Sequence, residues 1–175
     1  MAADTPNRPP GGDAPDTNRD SRGTGRVLVV DDSLMVRKIV GLSLEREGMS
    51  VQLAEDVHSA LAAIREERFD VVVSDLCMPG LDGFDLLGAL RETPDPPEVI
   101  FLSGAHADDF GAAVRALRLG AHDFLTKPPR HEELVHSVAR AVETRRLREE
   151  NRRLIRELER ETRTDPLTQA GNRRA

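Results

Sequence analysis

The chain has 175 residues and carries 31 acidic against 25 basic side chains, which gives a formal net charge of −6 at pH 7. Segment 26–130, with 18 acids and 11 bases, is itself acidic, which argues against nucleic acid as a direct partner. No apolar run approaches the roughly 20 residues that span a bilayer, and only one cysteine is present, so we expect a soluble cytoplasmic protein without a membrane partner or an internal disulfide.

The first 25 residues are rich in proline, glycine, aspartate and arginine and show no hydrophobic periodicity. Such a segment cannot bury enough apolar surface to offset the entropy lost on ordering. Its four acids and three arginines form no basic patch. We therefore predict that residues 1–25 are a disordered tail and that the folded part starts at residue 26.

Three hydrophobic runs follow, and each ends in polar residues: RVLVVDDS at 26–33, FDVVVSD at 69–75 and EVIFLSG at 98–104. A fourth run ends at Lys127, directly before Pro128. Helix-length amphipathic stretches lie between the runs. Short β-branched runs separated in this way are typical of buried parallel strands joined by crossover helices. The sequence therefore predicts an α/β fold built on a parallel sheet.

The polar residues at these four strand ends are the candidate functional residues: Asp31, Asp32, Asp75, Ser103 and Lys127. In open parallel sheets the carboxyl ends of the strands form the ligand crevice, so we expect these side chains to converge there. Carboxylates that lie close together repel one another unless a cation sits among them, and magnesium is the cation we expect. Lys127 is one of two lysines against 23 arginines, which indicates that its compact ammonium is needed at this place.

Most of these residues also have an ordinary structural interpretation. Asp32 or Ser33 is a good helix N-cap, Asp75 and Ser103 suit turns, and Lys127 suits a solvated surface. Phe124, three residues before Lys127 in the fourth run, suits the core. Independent structural accidents rarely coincide at four successive strand ends, and this coincidence favours the functional interpretation.

Four motifs, VVDDS, SDLCMPGLDG, FLSGA and GAHDFLTKPP, occur in this order over residues 26–130. Together they resemble the receiver domain of two-component response regulators. The resemblance implies a flavodoxin-like, doubly wound five-stranded parallel sheet of strand order 2-1-3-4-5. It also implies a cis peptide bond before Pro128, which proline tolerates.

The resemblance implies that Asp75 is the phosphoacceptor, which attacks a small phosphodonor or the phosphohistidine of a kinase. Magnesium would be held by Asp31, Asp32, the side chain of Asp75 and the main-chain carbonyl of Cys77. Lys127 would act in catalysis by pairing with Asp75 or its phosphoryl group. A carboxylate, a magnesium ion and a lysine suit phosphoryl transfer, in which catalysis consists chiefly of positioning and charge neutralisation.

The resemblance further implies a switch made of Ser103 and Phe124. Ser103 would hydrogen-bond a phosphoryl oxygen, and Phe124 would move inward with it; because Phe124 has no hydroxyl, this movement would act through packing. The expected partners are a sensor histidine kinase or phosphotransfer protein, and a second copy of the chain. The second copy would bind through the face made by the fourth helix, fifth strand and fifth helix.

Residues 131–164 are predicted to form a fifth helix that extends into a coiled-coil linker. Its last part, residues 143–164, is here called the stalk; it contains no helix breaker. Leu147, Asn151, Leu154 and Leu158 recur at intervals of four, three and four, as a heptad seam requires. The alternative is a lone solvated helix held by ion pairs between successive turns. A continuous helix over residues 131–164 would extend roughly 50 Å at about 1.5 Å per residue.

The final residues, 165–175, contain Asp165-Pro166-Leu167-Thr168 and Asn172-Arg173-Arg174. They are similar to the DxLTxxxNRR entry signature of GGDEF-type diguanylate cyclase domains, which often follow a receiver and a helical linker. No GGDEF or GGEEF string follows. We therefore expect a longer parent protein cut just after the linker, and no cyclic di-GMP synthesis by this chain itself; a natural short protein with a decayed output is the alternative.

Two function classes remain open at this point. In the first, phosphorylation of Asp75 controls the dimerisation or stalk orientation of a diguanylate cyclase, which makes cyclic di-GMP from GTP. In the second, the chain is a stand-alone receiver or adaptor module that signals by protein contacts without a cyclase output.

Overall fold

The computed structural model describes residues 25–104 and 109–163. Nearly all of the predicted tail and all of the signature at 165–175 lie outside the described residues. The strands are β1 (Arg26–Val30), β2 (Ser50–Ala54), β3 (Val71–Asp75), β4 (Glu98–Ser103) and β5 (Asp123–Thr126). The helices are α1 (Leu34–Arg46), α2 (Val57–Glu66), α3 (Gly83–Arg91), α4 (Asp109–Arg118) and α5 (His131–Arg163).

The five strands form one parallel sheet in the order β2-β1-β3-β4-β5, which confirms the predicted fold class and strand order. Strands β3 and β4 are buried along their whole length, because helices cover both faces of a doubly wound sheet. The strand order reverses between β1 and β3. Ligands bind at such a switch point, outside the carboxyl ends of the strands.

The alternation of side chains along the strands divides the core into two layers. On one face, Leu28, Val72 and Phe101 pack with apolar residues of α2, α3 and α4. On the other face, Val29 and Ile100 pack with apolar residues of α1 and α5. Both layers hold the carboxyl ends of the central strands at one rim of the sheet.

Helix α5 runs as one continuous helix of 33 residues and accounts for the described part of the predicted fifth helix and stalk. Its first half packs on the sheet through Leu134, Val138 and Ala141, which are at most 1% exposed. Its second half extends past the sheet. Within the described residues, no helix has the length and apolar character needed to cross a membrane.

Candidate functional site

The candidate site lies at the carboxyl ends of four neighbouring strands. Asp31 follows β1, Asp75 ends β3, Ser103 ends β4, and Lys127 follows β5. The parallel register places Asp75 opposite Leu102 and Ser103 opposite Thr126, so the ends of β3, β4 and β5 lie side by side. The rim therefore brings together residues that are up to 96 positions apart in the chain.

Lys127 bridges two of the carboxylates at this rim. Its Nζ lies 2.5 Å from Oδ2 of Asp31 and 2.8 Å from Oδ2 of Asp75. The Asp31 side chain is fully buried, that of Asp75 is 7% exposed and that of Lys127 is 19% exposed. The main chain fixes the origin of the lysine, because the Lys127 N–H donates to the carbonyl of Ser103 at 2.6 Å. One ammonium is thus held between two buried acids.

The burial of the site acts on the protonation of both partners. Burial raises the pKa of the Asp75 carboxyl, although the hydrogen bond from Lys127 opposes that rise. Burial alone would lower the pKa of Lys127, but its hydrogen bonds to Asp31 and Asp75 outweigh that effect and raise it. The two raised pKa values are consistent with each other. Two carboxylates stabilise the charged form of Lys127, whereas Asp75 has to share that one ammonium with Asp31. The lysine therefore stays charged at neutral pH.

In the turn after β1, both the side chain and the main-chain carbonyl of Asp31 accept hydrogen bonds. Its Oδ1 accepts the main-chain N–H of Ser33 at 2.8 Å, and its carbonyl accepts a hydrogen bond from the Arg37 guanidinium. Ser33 occupies the N-cap position of α1 without a side-chain capping bond. The buried carboxylate of Asp31 therefore orders this turn, and Asp32 is left exposed beside it.

The turn after β3 orients Asp75 in a similar way. Its Oδ1 accepts the main-chain N–H of Cys77 at 3.2 Å, and its carbonyl accepts the Ser74 hydroxyl at 2.8 Å. Gly83, the first residue of α3, packs closely over this strand end, because a Cβ there would lie only 2.7 Å from the Asp75 carbonyl oxygen. The two carboxylate oxygens of Asp75 therefore have different partners: Oδ1 accepts a hydrogen bond from the turn, and Oδ2 pairs with Lys127.

Three carboxylates form a cluster suited to a divalent cation. Oxygen atoms of Asp31, Asp32 and Asp75 lie within 4.8 Å of one another. In an octahedral magnesium site with bonds of about 2.1 Å, opposite ligands are about 4.2 Å apart and neighbouring ligands about 3 Å apart. The three oxygens would therefore have to move closer together to share one ion. The donor set fits, since magnesium typically takes a few carboxylates and keeps its remaining waters. The contribution of the Cys77 carbonyl stays a prediction, although its N–H already faces Asp75.

The two predicted switch residues lie at and below this rim. Ser103 is 3% exposed, and its hydroxyl donates to the Gly104 carbonyl at 3.2 Å. Phe124 is half-buried in β5, opposite Phe101 of β4, and packs against the core layer of α2, α3 and α4. The positions are compatible with a coupled movement, but the movement itself stays a prediction.

The seam residues lie away from this rim, on the extension of α5. Leu147, Leu154 and Leu158 are 57%, 48% and 64% exposed, and Asn151 is also exposed. Ile155, which the heptad pattern did not include, is 50% exposed next to them. The stalk therefore presents large apolar side chains to solvent on a helix that is otherwise highly charged.

Sequence reasoning missed Arg37 as a member of the site. Arg37 is 8% exposed and lies three residues before Val40 and seven before Leu44, on the inward face of α1. An arginine on an apolar stripe of a helix is the signal that would have identified it, since buried cations are rare without a partner. Its partner is the main-chain carbonyl of Asp31.

Residues 27–139 match the family described as "Response regulator receiver domain". The chain is similar to the C4-dicarboxylate transport transcriptional regulatory protein DctD of Pseudomonas aeruginosa, with 41% identity over 74% of this chain and 28% of that protein. It is similar to the protein-glutamate methylesterase/protein-glutamine glutaminase of Desulfotalea psychrophila, with 37% identity over 70% of this chain and 36% of that protein. A solved receiver domain protein from Clostridium thermocellum superposes with a TM-score of 0.65 and 30% identity, covering 70% of this chain and 98% of that one. The chain thus spans 28% to 36% of the length of these two curated relatives.

Proposed function

This chain belongs to the response regulator receiver family, and from that premise we propose that it is a phosphorylation-dependent switch with Asp75 as its phosphoacceptor. The observation that carries the proposal is the position of Lys127, whose Nζ lies 2.8 Å from Oδ2 of Asp75 and 2.5 Å from Oδ2 of Asp31. A nucleophilic carboxylate beside a fixed ammonium and further carboxylates is the arrangement that phosphoryl transfer to aspartate requires.

In the proposed reaction, a carboxylate oxygen of Asp75 attacks the phosphorus of a phosphohistidine or a small phosphodonor. The new oxygen–phosphorus bond forms as the bond from phosphorus to the leaving group breaks, and the leaving group keeps that electron pair. An imidazole leaving group takes up a proton from solvent, whereas acetate leaves as the anion. Lys127 moves from pairing with the carboxylate to pairing with the phosphoryl oxygens. When bound by Asp31, Asp32, Asp75 and the carbonyl of Cys77, magnesium would neutralise charge on the phosphoryl group.

The proposed signal starts from the charge that phosphorylation adds. Phosphorylation converts the single negative charge of the Asp75 carboxylate into about two negative charges on the acyl phosphate, and it adds several strong acceptor oxygens. The Ser103 hydroxyl would leave the Gly104 carbonyl, which it now contacts at 3.2 Å, and donate to a phosphoryl oxygen. Phe124 would then pack inward into the space so released. This change would alter the face formed by α4, β5 and α5, through which a second copy of the chain would bind.

The donor of the phosphoryl group would be a sensor histidine kinase or a phosphotransfer protein, as is general for receiver domains. The output is a finer proposal. The similarity of residues 165–174 to a GGDEF entry signature supports a diguanylate cyclase following the stalk. The alternative is an adaptor without cyclase output, and the relatives, named as a transcriptional regulator and a methylesterase, indicate that different outputs accompany similar receivers.

The test is to incubate the chain with magnesium and acetyl phosphate and to measure its intact mass. We expect a gain of one phosphoryl group that Asp75→Asn abolishes. Asp56→Asn is the matched control, because Asp56 caps α2 through Ser59 and asparagine caps equally well. Light scattering on the same samples, with beryllofluoride as a stable phosphoryl mimic, measures whether the seam pairs. Phosphorylation that survives in Asp75→Asn would overturn the assignment, and a monomer in every sample would overturn stalk pairing.

A further inference from the structure

The sheet-facing stripe of α5 changes its chemistry where the helix leaves the sheet. Its first members are buried apolar residues: Leu134, Val138 and Ala141. At intervals of four, three and four residues the same stripe continues through three arginines: Arg145, Arg148 and Arg152. Residues at these intervals lie on one face of a helix. The same face of α5 therefore contacts the receiver along this whole stretch, first through apolar side chains and then through arginines.

Each of these arginines is paired with an acid at the first residue of β4 or in the segment just before it. Arg145 and Arg152 both form ion pairs with Asp95, and Arg148 forms one with Glu98. Arg152 also approaches the carbonyl of Pro94, at 3.4 Å. This segment lies at the end of β4 opposite to Ser103. The three contacts therefore attach the helix at the far end of the sheet from Asp75.

The burial and electrostatics of these pairs distinguish them from ordinary surface ion pairs. The side chain of Arg145 is 5% exposed, that of Glu98 is 4% exposed and that of Asp95 is 25% exposed. Arg148, at 58%, and Arg152, at 35%, reach these acids from more exposed positions. The hydrogen bond from Arg145, reinforced by the charge of Arg152, lowers the pKa of Asp95. Exposed single pairs contribute little to stability. Asp95, in contrast, is only partly exposed and is shared by two arginines, and breaking a largely buried pair is costly because it leaves a charge without its partner.

We propose that Arg145, Arg148 and Arg152 form a latch with Asp95 and Glu98 that makes nearly the first three turns of the stalk part of the rigid receiver. Up to Arg152, the stalk would then move with the sheet as one body. This attachment goes beyond the proposed phosphorylation of Asp75 and does not depend on it.

The latch would also set the direction in which the seam points. At about 100° per residue, the seam is centred roughly 120° around the helix from the three arginines. The seam is therefore free to meet a second stalk while the latch is closed. If the part of α5 that packs on the sheet rotated, the seam would rotate by the same angle, because the latch makes the two parts one rigid unit.

The experiment is amide hydrogen exchange of the full chain, read by mass spectrometry, in a background of Leu154→Ser with Leu158→Ser that prevents stalk pairing. We expect Arg152→Gln and Asp95→Asn each to speed the exchange of amides 146–155 by about tenfold or more, because the latched turns would open locally. Amides 132–142, which the apolar stripe holds, should exchange as before. The two substitutions combined should be no faster than Asp95→Asn alone, since they remove one shared contact.

Arg153→Gln is the matched control, because Arg153 is the adjacent arginine and is exposed. Exchange that stays within about twofold of the parent in both latch variants, or that rises equally in Arg153→Gln, would overturn the latch. If Asp95→Asn also speeds exchange in β3 and β4, then Arg152→Gln decides the question, since Arg145 still neutralises Asp95 in that variant.

Discussion

Lys127 holds two carboxylates together that would otherwise repel each other. Asp31 and Asp75 each place an Oδ2 within 2.8 Å of its ammonium, and both are largely buried. Removal of that charge would leave two buried acids without their shared cation, which favours protonation or an added metal ion. The ammonium stabilises this group of carboxylates, and a bound magnesium ion would stabilise the same group.

Replacement of Lys127 by methionine should therefore increase the effect of magnesium on stability. We expect Lys127→Met to unfold at a lower temperature than the parent in the presence of a chelator. Added magnesium should then raise its unfolding temperature by more than it raises that of the parent, because a ligand that binds the folded state stabilises it. Thermal unfolding followed by circular dichroism measures both effects. Equal responses in the two proteins would mean that lysine and metal act on different groups.

Some residues of the site could be predicted from the sequence and others could not. The strand-end residues were predictable, because parallel strands bring their carboxyl ends to one rim. Arg37 was not, since its role depends on a contact with the Asp31 carbonyl that no motif contains. Ser33 was one of the two N-cap candidates and does occupy the N-cap position, but the side-chain hydrogen bond in that turn comes from Asp31.

At the level of elements, the N-terminus of α3 is the helix end that packs closely on the site. A Cβ on Gly83 would lie 2.7 Å from both the Asp75 carbonyl oxygen and an edge carbon of Phe101. Gly88, in the same helix, has nothing within 4 Å of such a Cβ. Of these two glycines in α3, only Gly83 lies where the neighbouring strand end leaves no room for a side chain.

Alanine substitution at these two positions should change stability in opposite directions. Gly83→Ala forces α3 away from the end of β3 and should cost about 1–3 kcal/mol, as overpacking does. Gly88→Ala should gain about 0.5–1 kcal/mol, because alanine is the better helix former at an open site. Urea unfolding measures both free energies. A neutral Gly83→Ala would contradict the close packing of α3 against Asp75.

The elements also differ in how visible they are in the sequence. Strands β1, β3 and β4 are continuous hydrophobic runs because they are mainly buried between two layers of helices. Strand β2 is an edge strand, SVQLA, with four of its five residues at least partly exposed, so its pattern is weak. The hydrophobic runs did not locate it, and only the resemblance to receivers implied a fifth strand. The latch could not be predicted from the sequence pattern, because its ion pairs join residues about 50 positions apart.

At the scale of the whole molecule, the latch adds a contribution to stability that depends on pH. Asp95 faces Arg68, Arg145 and Arg152, and its pKa is lowered from the ordinary value of 3.8. A carboxyl with a lowered pKa in the folded state stabilises the fold fully above its unfolded pKa. That contribution is lost as the pH falls through the lower, folded pKa.

The difference in unfolding temperature between the parent and Asp95→Asn should follow this rule. We expect a constant difference from about pH 5 to 7 and a narrowing difference below about pH 4, as Asp95 becomes protonated in the parent. Thermal unfolding of both proteins across this range provides the comparison. A difference that persists undiminished at about pH 3 would mean that the carboxylate charge is not its source.

The bridging position of Lys127 gives the protein a built-in spectroscopic reporter. The whole chain contains two lysines, and Lys38 is exposed on α1 whereas the Lys127 side chain is only 19% exposed. Selective isotopic labelling of lysine would therefore give two side-chain ammonium signals in a nuclear magnetic resonance spectrum. One reports on solvent and the other on the carboxylates at the rim, so the chemical state of Asp75 can be followed in the intact protein without any attached probe.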